Sequence, residues 1–253
     1  MKGEYAIIYE RDIEINYYDL DGRGDMKLTA LLKYINLSAV ANADELGISY
    51  EKIAALGLAF VIQRFTLRIS RWPVINQTVT IKTWPAEITK GTFRRNGSMH
   101  DKDGNKIAEW TGLWVLIDII KRRVQRPKAL PVPLPAYGLM DVDFEAAKLE
   151  IPEDAGLTAS YRHIVRFSEI DLNMHMNNAV YGDLIANLLE ISESPMPPVT
   201  KWREVSFNYL TETVLGDSIE VQCRQSGQII YIYGTVKGQM VFTSSVKYDE
   251  GEE

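Results

Sequence analysis

The sequence predicts an α+β fold made twice over, each copy one long helix followed by a run of antiparallel strands. Three observations carry this. Each half holds a single helical stripe placed just after its first strand, and strand-like segments fill most of the remainder of that half. The halves also slide over one another in register. At an offset of 150, Tyr17 meets Phe167, Leu20 meets Ile170, Asp21 meets Asp171 and Met26 meets Met176. At an offset of 140, Leu67 meets Phe207, Val79 meets Ile219 and Ile81 meets Val221, so one connection differs by ten residues between the copies.

The first copy opens with a strand over 11–15, running into Tyr17-Tyr18-Asp19-Leu20-Asp21-Gly22-Arg23-Gly24-Asp25. A helix follows, with Leu28, Leu31, Leu32, Ile35 and Ala39 on one stripe and Gly47 beyond its end, where a left-handed cap is favoured. Strands are expected over 60–69, 78–84, 92–100 and 106–117, with Asp103-Gly104 as a hairpin turn. The second copy repeats the order: a strand over 162–167, a helix over 177–191, and strands over 202–209, 217–224, 228–236 and 239–248, with Lys237-Gly238 as a turn. Between them Pro127, Pro131, Pro133, Pro135 and Pro152 are half of all ten prolines and predict a stiff crossing linker. The organisation is therefore a first repeat at 1–126, a linker at 127–160 and a second repeat at 161–253.

Composition excludes several classes. With 46% hydrophobic and 25% charged residues the chain reads as globular. No stretch approaches about 18 uninterrupted apolar residues and the N-terminus lacks an apolar signal core. A cytoplasmic location without membrane insertion is the expectation. A net charge of −6 argues against a nucleic-acid partner. The lone Cys223 sits in the alternating run Ile219, Val221, Cys223 and reads as a core residue. Three histidines and one cysteine without ligand spacing predict no metal site.

The chemistry concentrates in 171–181, D-L-N-M-H-M-N-N-A-V-Y. Asp171, Asn173 and His175 lie two apart, so an extended or loosely turned segment projects them to one side. Asn177 or Asn178 can cap a helix whose stripe is Tyr181, Leu184, Ile185 and Leu188. The N-terminus of that helix favours developing negative charge beside His175. A lone Asn-x-His triplet is a common surface turn, and a turn cap is the alternative reading of Asp171 alone. A buried Asn173 and His175 together need partners. The first copy has Arg23 opposite Asn173 and Asp25 opposite His175. It keeps the apolar stripe, loses the polar set, and is expected to be non-catalytic. His100 and His163 have no comparable company.

Read whole, D-x-N-x-H-x-N-N-x-x-Y resembles the active-site signature of hotdog-fold thioesterases, specifically the acyl-ACP thioesterases that release fatty acids from acyl carrier protein. The resemblance continues in Tyr209-Leu210-Thr211-Glu212 and Gly216-Asp217-Ser218. First-half landmarks are Phe60-Val61-Ile62-Gln63-Arg64, Arg71-Trp72-Pro73, Thr83-Trp84, Arg94-Arg95, Leu113-Trp114-Val115-Leu116 and Lys121-Arg122-Arg123. It implies a tandem (double) hotdog, each repeat a long helix wrapped by a curved antiparallel sheet. It implies hydrolysis of a fatty acyl thioester in fatty acid biosynthesis, without metal or redox cofactor, by Asp171, Asn173, His175 and Glu212.

Glu212 or Asp171 would orient and deprotonate water, His175 would assist proton transfer, and Asn173 with the helix N-terminus would bind the carbonyl. Plant members often carry a cysteine after the Glu. Thr213 stands there, and Gly216-Asp217-Ser218 sits one residue further along than in the family pattern, so a water attack is implied. The first repeat would house the acyl chain, with Leu32, Ile35, Phe60, Ile62, Trp84 and Trp114 as walls. Taken singly, each of these is an ordinary core residue. The partner would be acyl carrier protein, met by the basic residues Lys90, Arg94 and Arg95 or Lys121, Arg122, Arg123, Arg126 and Lys128. An acyl-CoA thioesterase on the same fold and a non-catalytic acyl-thioester-binding regulator are the alternatives. Monomer and homodimer are both compatible with a tandem repeat.

Overall fold

The computed structural model describes residues 8–135, 142–146, 148–152, 156–192 and 197–249. The rest of the 1–126, 127–160 and 161–253 regions lies outside the described residues. The first copy contributes β1 (Tyr9–Glu14), α1 (Leu28–Glu45), α2 (Tyr50–Ala55), β2 (Leu58–Ile69), β3 (Thr78–Thr89), β4 (Thr92–His100), β5 (Lys106–Asp118) and β6 (Arg123–Val124). The second contributes β7 (Leu157–Ile164), α3 (Tyr181–Glu190), β8 (Trp202–Tyr209), β9 (Ser218–Ser226), β10 (Ile229–Val236) and β11 (Gln239–Tyr248).

The eleven strands among the described residues join one sheet in the order β1-β3-β4-β5-β2-β8-β11-β10-β9-β7, with β6 beside β5. That order is palindromic about the β2–β8 seam, with β1, β3, β4, β5 and β2 mirrored by β7, β9, β10, β11 and β8. At the seam Thr66 pairs with Ser206, their hydroxyls 2.8 Å apart. The two residues are counterparts at the offset of 140.

α1 and α3 share one core. Leu31 and Ile35 of α1, Leu184 and Leu188 of α3, and strand residues Ile81, Met99, Val221 and Phe242 belong to a single buried cluster. Burying each such side chain contributes about 1.5–3 kcal/mol. The helices cross closely at Gly182, where an added Cβ would lie 2.9 Å from the Thr29 nitrogen. Thr29 Oγ1 donates to Asp183 Oδ1 at 2.5 Å beside that crossing. Cys223 is fully buried in the core and burial pushes its thiol up.

Three features differ from the sequence reading. The first strand of the second copy begins at Leu157, and 167–169 form a 3-10 turn. The short β6 was not foreseen. Nor was α2, which accounts for the ten-residue difference: the described residues of the second copy pass from α3 to a 3-10 turn at Val199–Lys201 and then to β8. Described linker residues are held against the sheet. Arg94 donates to the Phe144 carbonyl at 2.8 Å, Arg68 lies 4.1 Å from the Phe144 ring centroid, and the Leu149 amide donates to Asn208 Oδ1 at 2.9 Å. No helix among the described residues is long and apolar enough to cross a membrane.

Candidate active site

The loop after β7 is closed by an isolated bridge between Ile170 and Met176. Within it the Asp171 amide donates to the His175 carbonyl at 2.9 Å and the Met174 amide to the Asp171 carbonyl at 2.9 Å. Asp171 Oδ1 accepts from the Asn173 amide at 2.8 Å, an Asx turn that fixes where Asn173 and His175 stand. The first copy has the same loop. Leu20 bridges Met26, and Asp21 Oδ1 accepts from the amides of Arg23 at 2.9 Å and Asp25 at 3.0 Å. The left-handed position is Gly24 there and Met174 here, at φ 64°, which costs a non-glycine residue about 1–2 kcal/mol.

Asn177 is the cap: its Oδ1 accepts from the Ala179 amide at 2.9 Å, opening a 3-10 turn at Asn178–Val180 that leads into α3. Asn178 instead receives the Asn36 side-chain amide at 3.0 Å and, on its carbonyl, the Tyr209 hydroxyl at 3.1 Å.

Glu212 lies in the loop after β8. A hydrogen bond of 2.8 Å from the Met176 amide to the Thr213 carbonyl pins that loop to the first. Glu212 Oε2 is 3.1 Å from His175 Nε2. A third group enters from the other repeat: Arg122, in the turn between β5 and β6. Its Nη1 donates to Glu212 Oε1 at 3.0 Å, its Nη2 to Glu212 Oε2, and Nη2 lies 3.4 Å from His175 Nε2. Beneath them the Tyr181 hydroxyl and Thr213 Oγ1 are 3.1 Å apart, and the Tyr181 ring meets Tyr209 and Phe242 edge to face. Burial pushes the Tyr181 phenol up to about 12 and the Tyr209 phenol well up, so both are protonated hydrogen-bonding groups at neutral pH.

These residues face a cavity of 640 Å³. Asp171, Asn173, His175, Glu212 and Arg122 line it from one side, and Phe60, Ile62 and Trp114 from the sheet. A second cavity of 270 Å³ shares Asp171, Asn173, Phe60 and Trp114, and is walled by Ala39, Val40 and Ala43 of α1, Ile53 of α2 and Phe93 of β4. The structure thus brings all four expected polar residues to one cavity. Of the six expected walls, Phe60, Ile62 and Trp114 line it. Leu32 and Ile35 are 4% exposed and Trp84 2%, packed in the interior, and they line neither cavity. The physical reason is the geometry of α1. Its Leu28, Leu31, Leu32 and Ile35 face the common core, whereas Ala39, read as part of the same stripe, and Ala43 border the second cavity.

The basic residues also divide. Arg94 reaches the linker carbonyls, and Arg95 donates to Asn42 Oδ1 at 2.8 Å with its guanidinium lowered by burial to about 10. Neither forms a solvated face. Sequence reasoning missed Arg122 as a member of the cluster. It also missed Tyr50 of α2, which donates to the Leu172 carbonyl at 3.3 Å.

A pseudo-symmetric counterpart exists. Asp21, Arg23 and Asp25 line a 220 Å³ cavity with Ala186, Leu189 and Glu190, which at the offset of 150 correspond to Asn36, Ala39 and Val40. There Arg23 pairs with Glu190, and burial raises the Asp25 carboxyl.

Comparison with known proteins matches residues 6–128 to the N-terminal domain of acyl-ACP thioesterases and residues 153–253 to their C-terminal domain. The chain is 22% identical over 200 residues to the chloroplastic dodecanoyl-[acyl-carrier-protein] hydrolase of Cinnamomum camphora, covering 72% of this chain and 51% of that protein. It is 19% identical over 224 residues to the chloroplastic palmitoyl-acyl carrier protein thioesterase of Arabidopsis thaliana, covering 82% and 52%. It therefore spans about half the length of the curated relatives it matches. Among solved structures, the 12:0-ACP thioesterase of Umbellularia californica superposes with a TM-score of 0.79 at 17% identity, covering 98% of this chain and 99% of that one. An acyl-ACP thioesterase of Bacteroides thetaiotaomicron gives 0.75 at 18%, covering 96% and 98%. At these identities the likeness shows the fold, a tandem hotdog.

Proposed function

The chain belongs to the acyl-ACP thioesterase family, and from that premise we propose that it hydrolyses a fatty acyl thioester held on acyl carrier protein, releasing the free fatty acid and the holo carrier. The observation that carries this reading is one cavity lined by Asn173, His175 and Glu212 that shares Phe60 and Trp114 with an apolar slot between α1 and α2. The first repeat, on this reading, holds the acyl chain, and the second supplies the polar set.

A water oxygen attacks the carbonyl carbon while Glu212, 3.1 Å from His175, takes the water proton. The oxyanion is met by the side-chain amide of Asn173 near the N-terminal turn of α3. Collapse breaks the C–S bond, and the proton returns through His175 to the leaving sulfur. The products are a carboxylic acid and the carrier thiol, so no cofactor is called for. Asp171 Oδ1 accepts from the Asn173 backbone amide, which makes Asp171 the residue that shapes the loop, and the 3.1 Å approach of Glu212 to His175 supports Glu212 as the base. The exposed Leu172 and Met174 at the cavity, with the exposed Ile120 of the turn after β5 and Arg123 of β6, are candidates to meet an acidic carrier. Fatty acid biosynthesis in the cytoplasm is the setting this reading gives the reaction.

The test is hydrolysis of matched palmitoyl-ACP and palmitoyl-CoA by the wild type and by Asn173→Ala, His175→Ala and Glu212→Ala, with folding checked by circular dichroism. Carrier-selective turnover, reduced about 100-fold or more in folded variants, is expected. Turnover of CoA substrate alone would indicate an acyl-CoA thioesterase, and binding without turnover a regulator.

A further inference from the structure

We infer that Arg122, a residue of the first repeat, is a positioning residue for the catalytic set of the second, holding the Glu212 carboxylate in the orientation that meets His175. The inference rests on the hydrolase reading above and assigns the first repeat a part in the chemistry beyond housing the chain.

The guanidinium grips Glu212 with two donors, a fork that fixes the plane of a carboxylate as a lysine cannot. The same Nη2 lies 3.4 Å from His175 Nε2, so one planar group touches both members of the pair. Lys121 instead pairs with Asp118 at 3.7 Å.

The backbone points the same way. Arg122 is held at φ 54°, a left-handed conformation that costs a non-glycine residue about 1–2 kcal/mol. The turn around it is tied at every point. Asp118 Oδ1 accepts from the amides of Ile120 at 3.0 Å and Lys121 at 2.8 Å, and these bonds, led by that from Lys121, lower its carboxyl. The Asp118 carbonyl accepts from the Arg122 amide at 2.9 Å, and the Ile119 amide donates to the Gly57 carbonyl at 2.9 Å. Strain persists where surroundings over-determine it, and here it aims one side chain at Glu212.

Energetics exclude the simpler reasons for this placement. The side chain is 52% exposed, and ion pairs so exposed add little to stability, about 0–1 kcal/mol. Fold stability therefore gives little reason for the strained backbone. Carrier docking gives little either, because the phosphate of the carrier's prosthetic arm is separated from the thioester sulfur by the whole pantetheine chain. A cation touching Glu212 stands at the thioester end.

Steady-state kinetics on acyl-ACP with thermal unfolding would test this in Arg122→Gly, Arg122→Gln and Arg122→Lys. Glycine accepts the left-handed backbone, so Arg122→Gly should fold with an unchanged or higher Tm. Its kcat should fall by up to about 100-fold from misplacement of the base, with KM within about twofold. Free guanidinium ion at millimolar concentration should restore part of kcat in Arg122→Gly, and Arg122→Lys should recover only part because it lacks the fork. Wild-type kcat in Arg122→Gln overturns the inference. So does a raised KM at constant kcat, which marks a docking cation, or activity lost only in step with Tm. Absence of turnover by the wild-type chain sinks the hydrolase reading itself and this inference with it, whereas unaltered Arg122 variants of an active enzyme sink the inference alone.

Discussion

Chain-length selection should answer to Ala43 and not to Leu32. Ala43 lines the 270 Å³ slot with Phe93 and Ile53, and the substitution Ala43→Leu would extend three further carbons into it. Each buried methylene is worth about 0.8 kcal/mol. Excluding about three methylenes of acyl chain should therefore cost the longest accepted substrate about 2.4 kcal/mol, roughly 60-fold in kcat/KM relative to a chain three carbons shorter. The assay is competition between acyl-ACPs of graded length, with fatty acid products separated by mass. Leu32→Ala is the control. Leu32 is 4% exposed in the core, so its truncation should cost about 2–5 kcal/mol of stability and leave the length profile unchanged. A folded Ala43→Leu with the wild-type profile would refute the slot assignment, as would a shifted profile in Leu32→Ala.

Other outcomes follow from the same structure. Asp171→Asn keeps an Oδ1 acceptor for the Asn173 amide and should retain most activity, whereas Glu212→Gln should lose about 100-fold or more; equal losses in stopped-assay kinetics would reassign the base. Tyr181, raised to about 12 in the fold against about 10 unfolded, binds its proton more tightly when folded. Its contribution is present below pH 10 and lost between pH 10 and 12 at about 1.4 kcal/mol per pH unit. Urea titrations should show a shallower alkaline loss for Tyr181→Phe than for wild type. Gly182→Ala, with Thr29 backbone 2.9 Å from the new Cβ, should lower stability by about 1–3 kcal/mol, read as a reduced Tm.

The duplication was legible because duplicated strands keep their apolar alternation, and the two offsets already located the difference that α2 fills. The helix α2 itself was not: six residues with Ile53 alone buried leave no period to read. Asp171, Asn173 and His175 were legible because one short loop carries them, and Glu212 only through the family resemblance. Arg122 lies 90 residues from Glu212, across the seam, and in the sequence it looks like any member of a basic run. Of the expected walls Leu32, Ile35 and Trp84 lie in the interior for a related reason, since a large apolar residue in the sequence reads alike whether it meets the core or a cavity.

On the proposed reading, the duplication also sets which loop can work. Each loop faces the helix of the other repeat, so 171–176 looks onto α1 and α2 while 21–26 looks onto α3. The first-copy loop differs in more than Arg23 and Asp25. At the offset of 140 the counterpart of Glu212 is Trp72, buried at 5% and donating from Nε1 to the Trp202 carbonyl at 3.1 Å. An acid there would face an apolar interior, and no α2 equivalent among the described residues builds a slot beside it. Restoring the amide and imidazole should therefore create no second site. Arg23→Asn with Asp25→His in a His175→Ala background is expected to show no hydrolysis above that of His175→Ala alone. Recovered turnover would mean that the loop set suffices without the carboxylate, and would remove Glu212 from the mechanism.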